Sequence, residues 1–408
     1  MSLPEAAVPR SSTSLQPSGW RRPIWPSSVG QDTTGVPTGR DPRLDMFRGL
    51  ALVMIFINHV PGTIYETFTN RNFGFSDAAE AFVFMSGLAA GLAYSNRFRG
   101  GDLWAATAKV WARARQLYFV HITITMLSLA IFAAAAKWFG LPELLSKNNI
   151  APIFQQPLSA IVGLPLLSYQ LGYLNILPLY MMLLLATPLL MIIGLRRPWL
   201  VLSLSLLLWA VAGQWRLNLP NFPQSGGWFF NPLAWQVLFV VGLLSGAAMK
   251  VGSRFIPYSR GLWVAAGAFL LFVLLWMKIP PLGELGRQGL GALSKLGVPF
   301  YITWFDKSFL ALPRLLHALA LFYFLAFLPG VRQAAGSALA APLRLLGRQG
   351  LPVFATGTVF SMLLQAIKEG RQPDPLFDGM LLGAGLVALW LLAWALTKTQ
   401  QASRPQPA

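Results

Sequence analysis

The chain has no cysteine, three histidines and only 14 acidic residues among 408. Without cysteine there is no disulfide, no thiolate metal site and no cysteine nucleophile. Three histidines and so few carboxylates also argue against a multi-ligand metal centre, and no metal is expected. Charge of any kind is scarce: 11% of residues are charged, 55% are hydrophobic and the mean hydropathy is +0.55. A soluble globule of this size needs more polar surface, so the composition fits an all-helical polytopic membrane protein. No Walker-type phosphate loop, zinc-protease HExxH or GxSxG nucleophile elbow occurs. Gly286, Gly289 and Gly291 have the wrong spacing for a nucleotide fingerprint.

The charge that is present is lopsided, with 32 basic residues giving a formal net charge of +18. Such a balance can mean nucleic acid, but here the basic residues fall in short clusters between apolar runs. That placement follows membrane topology, and no nucleic-acid partner is expected. Residues 1–40 are rich in Pro, Ser, Thr and Gly, carry Arg10, Arg21, Arg22 and Arg40, and lack an apolar h-region with a cleavage site. They are expected to be a disordered basic tail held in the cytoplasm. A transmembrane domain is expected over 41–397, followed by a short cytoplasmic tail over 398–408.

About ten spans are expected, near 44–65, 77–94, 116–138, 172–195, 199–213, 232–249, 261–277, 313–328, 351–367 and 377–396. Arg97, Arg99, Lys109, Arg113 and Arg115 against the single Asp102 give the strongest positive-inside signal. With the arginine-dense loops on one side and an even count, both termini are expected in the cytoplasm. Residues 139–171 are expected to be an outer loop with an interfacial or re-entrant piece, and 278–311 a longer outer loop. Gly87-x-x-x-Gly91 and Gly242-x-x-x-Gly246 suit close helix packing.

The richest stretch is 41–91. It sets Asp45, Arg48 and His59 in or beside one apolar run and Asp77 and Glu80 at the head of the next. Ionisable groups at membrane depth are costly and mark a working site by default. Arg48 and His59 are eleven residues apart, so on a helix they differ by about 20° and share a face, with a rise of roughly 16 Å between them. Asp45 lies one turn below Arg48.

LDMFRGLALVMIFINH, containing Arg48 and His59, and SDAAEAFVFMSGLAAGL after it resemble the OpgC family of integral membrane proteins. FNPLAWQVLFVVG from Phe230, DKSFLALPRLLHALAL from Asp306 and LGRQGLPVFATGTVFS from Leu346 extend the resemblance over about 41–395. That family is linked to succinylation of osmoregulated periplasmic glucans, within the wider transmembrane acyltransferases that include the acyltransferase-3 proteins. The resemblance implies about ten helices in a bacterial inner membrane, cytoplasmic acyl-CoA as donor and a hydroxyl on the far side as acceptor. Succinyl-CoA is then a co-substrate rather than a resident cofactor, and Arg48 and His59 match the essential pair.

The chemistry of those residues agrees. His59 is the natural proton acceptor for a sugar hydroxyl attacking a thioester, and an acyl-histidine intermediate is the alternative. Asp77 or Glu80 then orients the imidazole, with Asp77 preferred. Arg48 suits a CoA phosphate or a succinyl carboxylate, or it forms an ion pair with Asp45 or Glu80 that only fixes helix register. Asp45, Arg344 and Arg348 complete the expected acyl-CoA site. Asn58, Trp235, Gln236, Asp306, Arg314 and His317 are expected to bind the glycan, with Trp228, Phe229 and Trp304 as stacking surfaces and Asn231 as a further polar group. Tryptophans near helix ends serve equally as interfacial anchors. His121 reads as a packing histidine. Partners are therefore acyl-CoA, a periplasmic glucan and the bilayer, with a homodimer as one oligomeric option. Two alternatives stay open: an acetyl rather than succinyl transferase, and a proton- or anion-coupled transporter or flippase. No inverted repeat with paired broken helices supports the transporter.

Overall fold

The computed structural model describes residues 41–403, so the tail expected over 1–40 lies outside the described residues. Those residues form sixteen α-helices and no strand. The first eight are α1 (Pro42–Asn58), α2 (Ala78–Arg99), α3 (Leu103–Phe139), α4 (Ala151–Gln155), α5 (Pro157–Gly163), α6 (Ile176–Gly194), α7 (Pro198–Gln214) and α8 (Pro232–Met249). They are followed by α9 (Arg260–Lys278), α10 (Pro280–Lys295), α11 (Phe300–Thr303), α12 (Leu312–Phe327), α13 (Val331–Gly336), α14 (Ala341–Arg348), α15 (Gly350–Lys368) and α16 (Pro375–Ala402). Seven helices, α2, α3, α6, α8, α9, α15 and α16, are long and apolar enough to cross a membrane, and α7 and α12 are shorter apolar helices.

Each expected span holds a helix, but several boundaries differ. α1 stops at Asn58 and two short 3-10 turns follow, Ile64–Phe68 and Asn70–Asn72. α3 begins at Leu103, so Lys109, Arg113 and Arg115 ride on a 37-residue helix and not in a loop. Long basic side chains can snorkel from such a helix to water. α6 begins at Ile176, leaving 172–175 irregular. The stretch 278–311 is largely helical, since α10 folds back so that Gly286 rests against the Trp276 ring.

Helix starts follow cap chemistry. Asp41 accepts from the Arg43 N–H ahead of a proline at the first helical position, and Asn231 and Asp374 do the same for α8 and α16. At α2 the arrangement is reciprocal: the Asp77 carboxylate accepts from Ala79 N at 2.8 Å and Glu80 accepts from Asp77 N at 2.9 Å.

Glycines set the closest approaches. Gly87 lies against the Phe239 backbone and Gly91 against that of Leu243, while Gly242 and Gly246 face Phe84 and Leu88 in return. Residue numbers climb together across this seam, so α2 and α8 run parallel with touching backbones, as small-xxx-small pairs allow. A second seam joins α1 to α14, where Gly49 meets Leu343 and Gly347 meets Asp45, so these two helices are antiparallel. At Gln349 the chain reverses, and α15 then runs alongside α1, with Gly350 at Arg48 and Gly357 at Phe56. One end of α1 is thereby enclosed by α14 and α15, and the other faces the start of α2.

Candidate functional site

Ionisable residues gather at both ends of α1. At the first end, Asp45 is 1% exposed. Its carboxylate lies 3.4 Å from Arg348 Nε and 4.0 Å from Arg48 Nη1, so one buried acid holds two guanidinium groups. Arg48 also donates to the Gly347 carbonyl at 3.3 Å. The glycine seam places that carbonyl, because a Cβ at 347 would collide with the Asp45 backbone. Arg348 keeps about half its side chain in the open, at 51% exposure. Three of the four expected donor-site residues, Asp45, Arg48 and Arg348, are therefore together. Arg344 stands apart from them: its guanidinium donates to the carbonyls of Ala335 and Ser337 and ties α13 to α14.

At the second end sits His59, the C-cap of α1. Its N–H donates to Ile55 O at 2.9 Å and its carbonyl accepts from Gln365 Nε2 at 2.6 Å, so the backbone is fixed from two helices. Among the described residues no side chain hydrogen-bonds the imidazole. The Tyr173 ring lies 4.8 Å from it at 51°. Tyr173 occupies the left-handed region at φ 68, an outlier for a bulky residue and one that structures tend to keep at working sites. The void touching the ring is about 10 Å³ and lined by apolar residues such as Phe56, Phe354 and Leu389. That space is too small for an acyl group.

Asp77 and Glu80 lie close by in a four-charge cluster. Lys307 Nζ is 2.5 Å from Asp77 Oδ2, and Arg314 reaches Asp77 at 3.2 Å and Glu80 at 2.8 and 2.5 Å. Two acids face two bases, so the group is neutral as a whole, the only economical way to hold Glu80 at 0% exposure. Asp77 and Lys307 are the charged groups that act on His59 through space. Yet both Asp77 oxygens are engaged by the helix cap and the two cations, so no hydrogen bond passes from Asp77 to the imidazole. Glu80 pairs with Arg314 from α12, a partner far along the chain from Arg48.

The expected glycan residues divide. Arg314 belongs to the charged cluster, and His317 is nearby, with Nδ1 2.7 Å from the Ser76 hydroxyl. Asp306 accepts from Phe309 N at 2.7 Å and shapes the turn that presents Lys307. Trp235 is wholly buried and donates to Lys307 O at 2.8 Å, holding the same turn from behind. Gln236 points elsewhere, between α7 and α8, bonded to the Ser205 hydroxyl at 2.5 Å and carbonyl at 2.7 Å. Asn58 accepts from the Thr69 hydroxyl at 2.9 Å. Asn231 caps α8 and also donates to Leu217 O. Phe229 and Trp304 are exposed whereas Trp228 is buried; Phe229 lies 5.7 Å from Lys307 Nζ. His121 is buried in α3 away from both clusters, and its Nδ1 has no partner among the described residues.

Sequence reasoning missed Tyr173 and Gln365. Each carried a faint signal: a tyrosine in a Gly-Tyr-Leu-Asn stretch and an amide inside the largely apolar α15.

An all-helical chain with seven helices long and apolar enough to cross a membrane is a membrane protein in class. The family model described as OpgC protein matches residues 40–401, and the chain belongs to that family. No curated protein matches it. Family membership points to an acyltransferase of the glucan-modifying kind.

Proposed function

We propose that the protein transfers a succinyl group from succinyl-CoA to hydroxyls of a periplasmic glucan, from within the bacterial inner membrane with both termini in the cytoplasm. The observation that carries this reading is α1 and what meets it: at one end Arg48 joins Arg348 of α14 around Asp45, and at the other stands an imidazole that no side chain among the described residues hydrogen-bonds. Arg48 and Arg348, oriented by buried Asp45, are suited to the phosphates of CoA at the cytoplasmic end. The flexible arm of CoA then has to cover the rise of roughly 16 Å to His59. There the imidazole takes the proton of the attacking sugar hydroxyl, the new ester C–O bond forms, the thioester C–S bond breaks, and CoA leaves as the thiol once protonated.

The void at His59 is only about 10 Å³, so the reading requires Tyr173 or the Phe354 side to shift before the thioester arrives. Phe229, exposed and beside Lys307, is the aromatic surface best placed to stack on the acceptor sugar. Asp77 and Lys307 act on the imidazole through the field of the cluster rather than through a direct bond.

Purified protein given a neutral glucan is expected to release free CoA from succinyl-CoA and to do so more slowly from acetyl-CoA. The Arg48→Ala variant is expected to raise the donor KM by about 10- to 100-fold, the worth of a charge-assisted hydrogen bond. If neither donor is consumed, the acyltransferase reading fails. If acetyl-CoA is preferred, the succinyl assignment fails and the rest stands.

A further inference from the structure

One cavity in the described residues has no part in the chemistry above. It encloses about 790 Å³ between the α9–α12 pair and the faces of α1, α2 and α8. α9 and α12 hold each other through the stacked Trp263 and Phe324 rings, 5.0 Å apart, and the Trp263 indole N–H donates to Phe324 O. α9 is otherwise exposed, with Ala266 and Val273 its only buried residues. Beside this arm the walls are apolar, from Leu50 and Met54 on α1 to Phe84 on α2 and Phe269 on α9.

Water filling an apolar recess of this size would find almost nothing to bond with. The size instead falls within the range of ligand pockets, roughly 300–1,000 Å³. Polar groups are concentrated where α1 begins. Arg43 lines the cavity there, paired with Asp41 at 2.7 Å and bonded to Ala326 O. Arg254 lines it as well, lying over the Phe327 ring at 4.9 Å, and among the described residues no acid pairs with it. An apolar slot between membrane helices with a spare guanidinium at one end matches an amphiphile with an anionic head.

We infer that this cavity binds one anionic glycerophospholipid, its acyl chains between α9–α12 and the bundle and its phosphate at Arg254, with Arg43 alongside. Chains enter sideways from the bilayer, and the head stays at the interface, where arginine attracts anionic lipid. The site is separate from the acyl-transfer residues and does not depend on that function being correct.

The test is reconstitution of the full chain into vesicles of mixed phosphatidylglycerol and phosphatidylcholine, extraction in mild detergent, and native mass spectrometry. Wild type is expected to retain one phospholipid per chain with phosphatidylglycerol enriched over its share in the vesicle. Ala266→Trp, which places an indole in the cavity wall, is expected to lose that lipid while eluting as a single species. Arg254→Gln, at an exposed side chain that leaves the apolar walls intact, is expected to lower the phosphatidylglycerol preference about fivefold, the worth of one arginine near an anionic headgroup. Should Ala266→Trp not fold, Arg254→Gln decides alone. Unchanged lipid retention in a folded Ala266→Trp, or an unchanged headgroup preference in Arg254→Gln, overturns the inference. So does a wild-type protein that emerges without lipid or with a second copy of the chain in the slot.

Discussion

His59→Ala removes acyl transfer while leaving a folded, inserted protein. The reason is in the division of labour at that residue. Its structural bonds come from the backbone, through Ile55 O and Gln365 Nε2, and alanine keeps both. What disappears is the ring, whose only described contact of note is the tilted face of Tyr173. A positioned general base is worth about 10²–10⁴-fold, so kcat should fall by at least about a hundredfold. The donor KM should change little, because CoA is assigned to the Asp45 end. Activity within a few fold of wild type in a properly folded variant would remove His59 from the chemistry under either the general-base or the acyl-histidine scheme.

Arg314→Leu is expected to have the largest effect on stability. Glu80 has no exposure and receives two bonds from that guanidinium, and Asp77 receives a third. Taking away one partner of a buried ion pair leaves an uncompensated charge and costs about 3–5 kcal/mol. The expected reading is a lower thermal midpoint and reduced yield of monodisperse protein. Glu80→Gln combined with Arg314→Gln should recover much of the loss, since the neutral amides can bond to each other. An Arg314→Leu variant as stable as wild type would mean that the cluster does not hold α12 against the head of α2.

Much of this arrangement could be read from the chain because local rules happen to govern it. The helical spacing of Arg48 and His59 and the place of Asp77 and Glu80 at the head of the second run need only a few consecutive residues, and α1 and the start of α2 carry them. The glycine pairs at 87/91 and 242/246 announce close packing by their spacing, and the parallel α2–α8 seam is where they meet. Partnership across the chain is another matter. Hydropathy cannot tell that the cation opposite Asp77 is Lys307, 230 positions away, or that Arg348 returns to Asp45 on a short antiparallel helix. Arg344 and Arg348 both look like topological arginines, yet one closes a turn and the other joins the Asp45 cluster. α10 was hidden because its glycines mimic a loop, and the helix forms by leaning on Trp276. Gln236 shows the opposite error, in that a polar residue within a family-like motif is used between two helices.

The central claim is that one side of α1 receives the thioester and the other the sugar. Its most direct test is the protein oriented in sealed vesicles, with succinyl-CoA on the side of the Asp45 cluster and neutral glucan on the opposite side. The account predicts succinylated glucan and free CoA in equal amounts when the two are separated by the membrane, and none with His59→Ala. Ester formation only when donor and glucan share a compartment would contradict it, and so would glucan crossing the membrane with no thioester consumed.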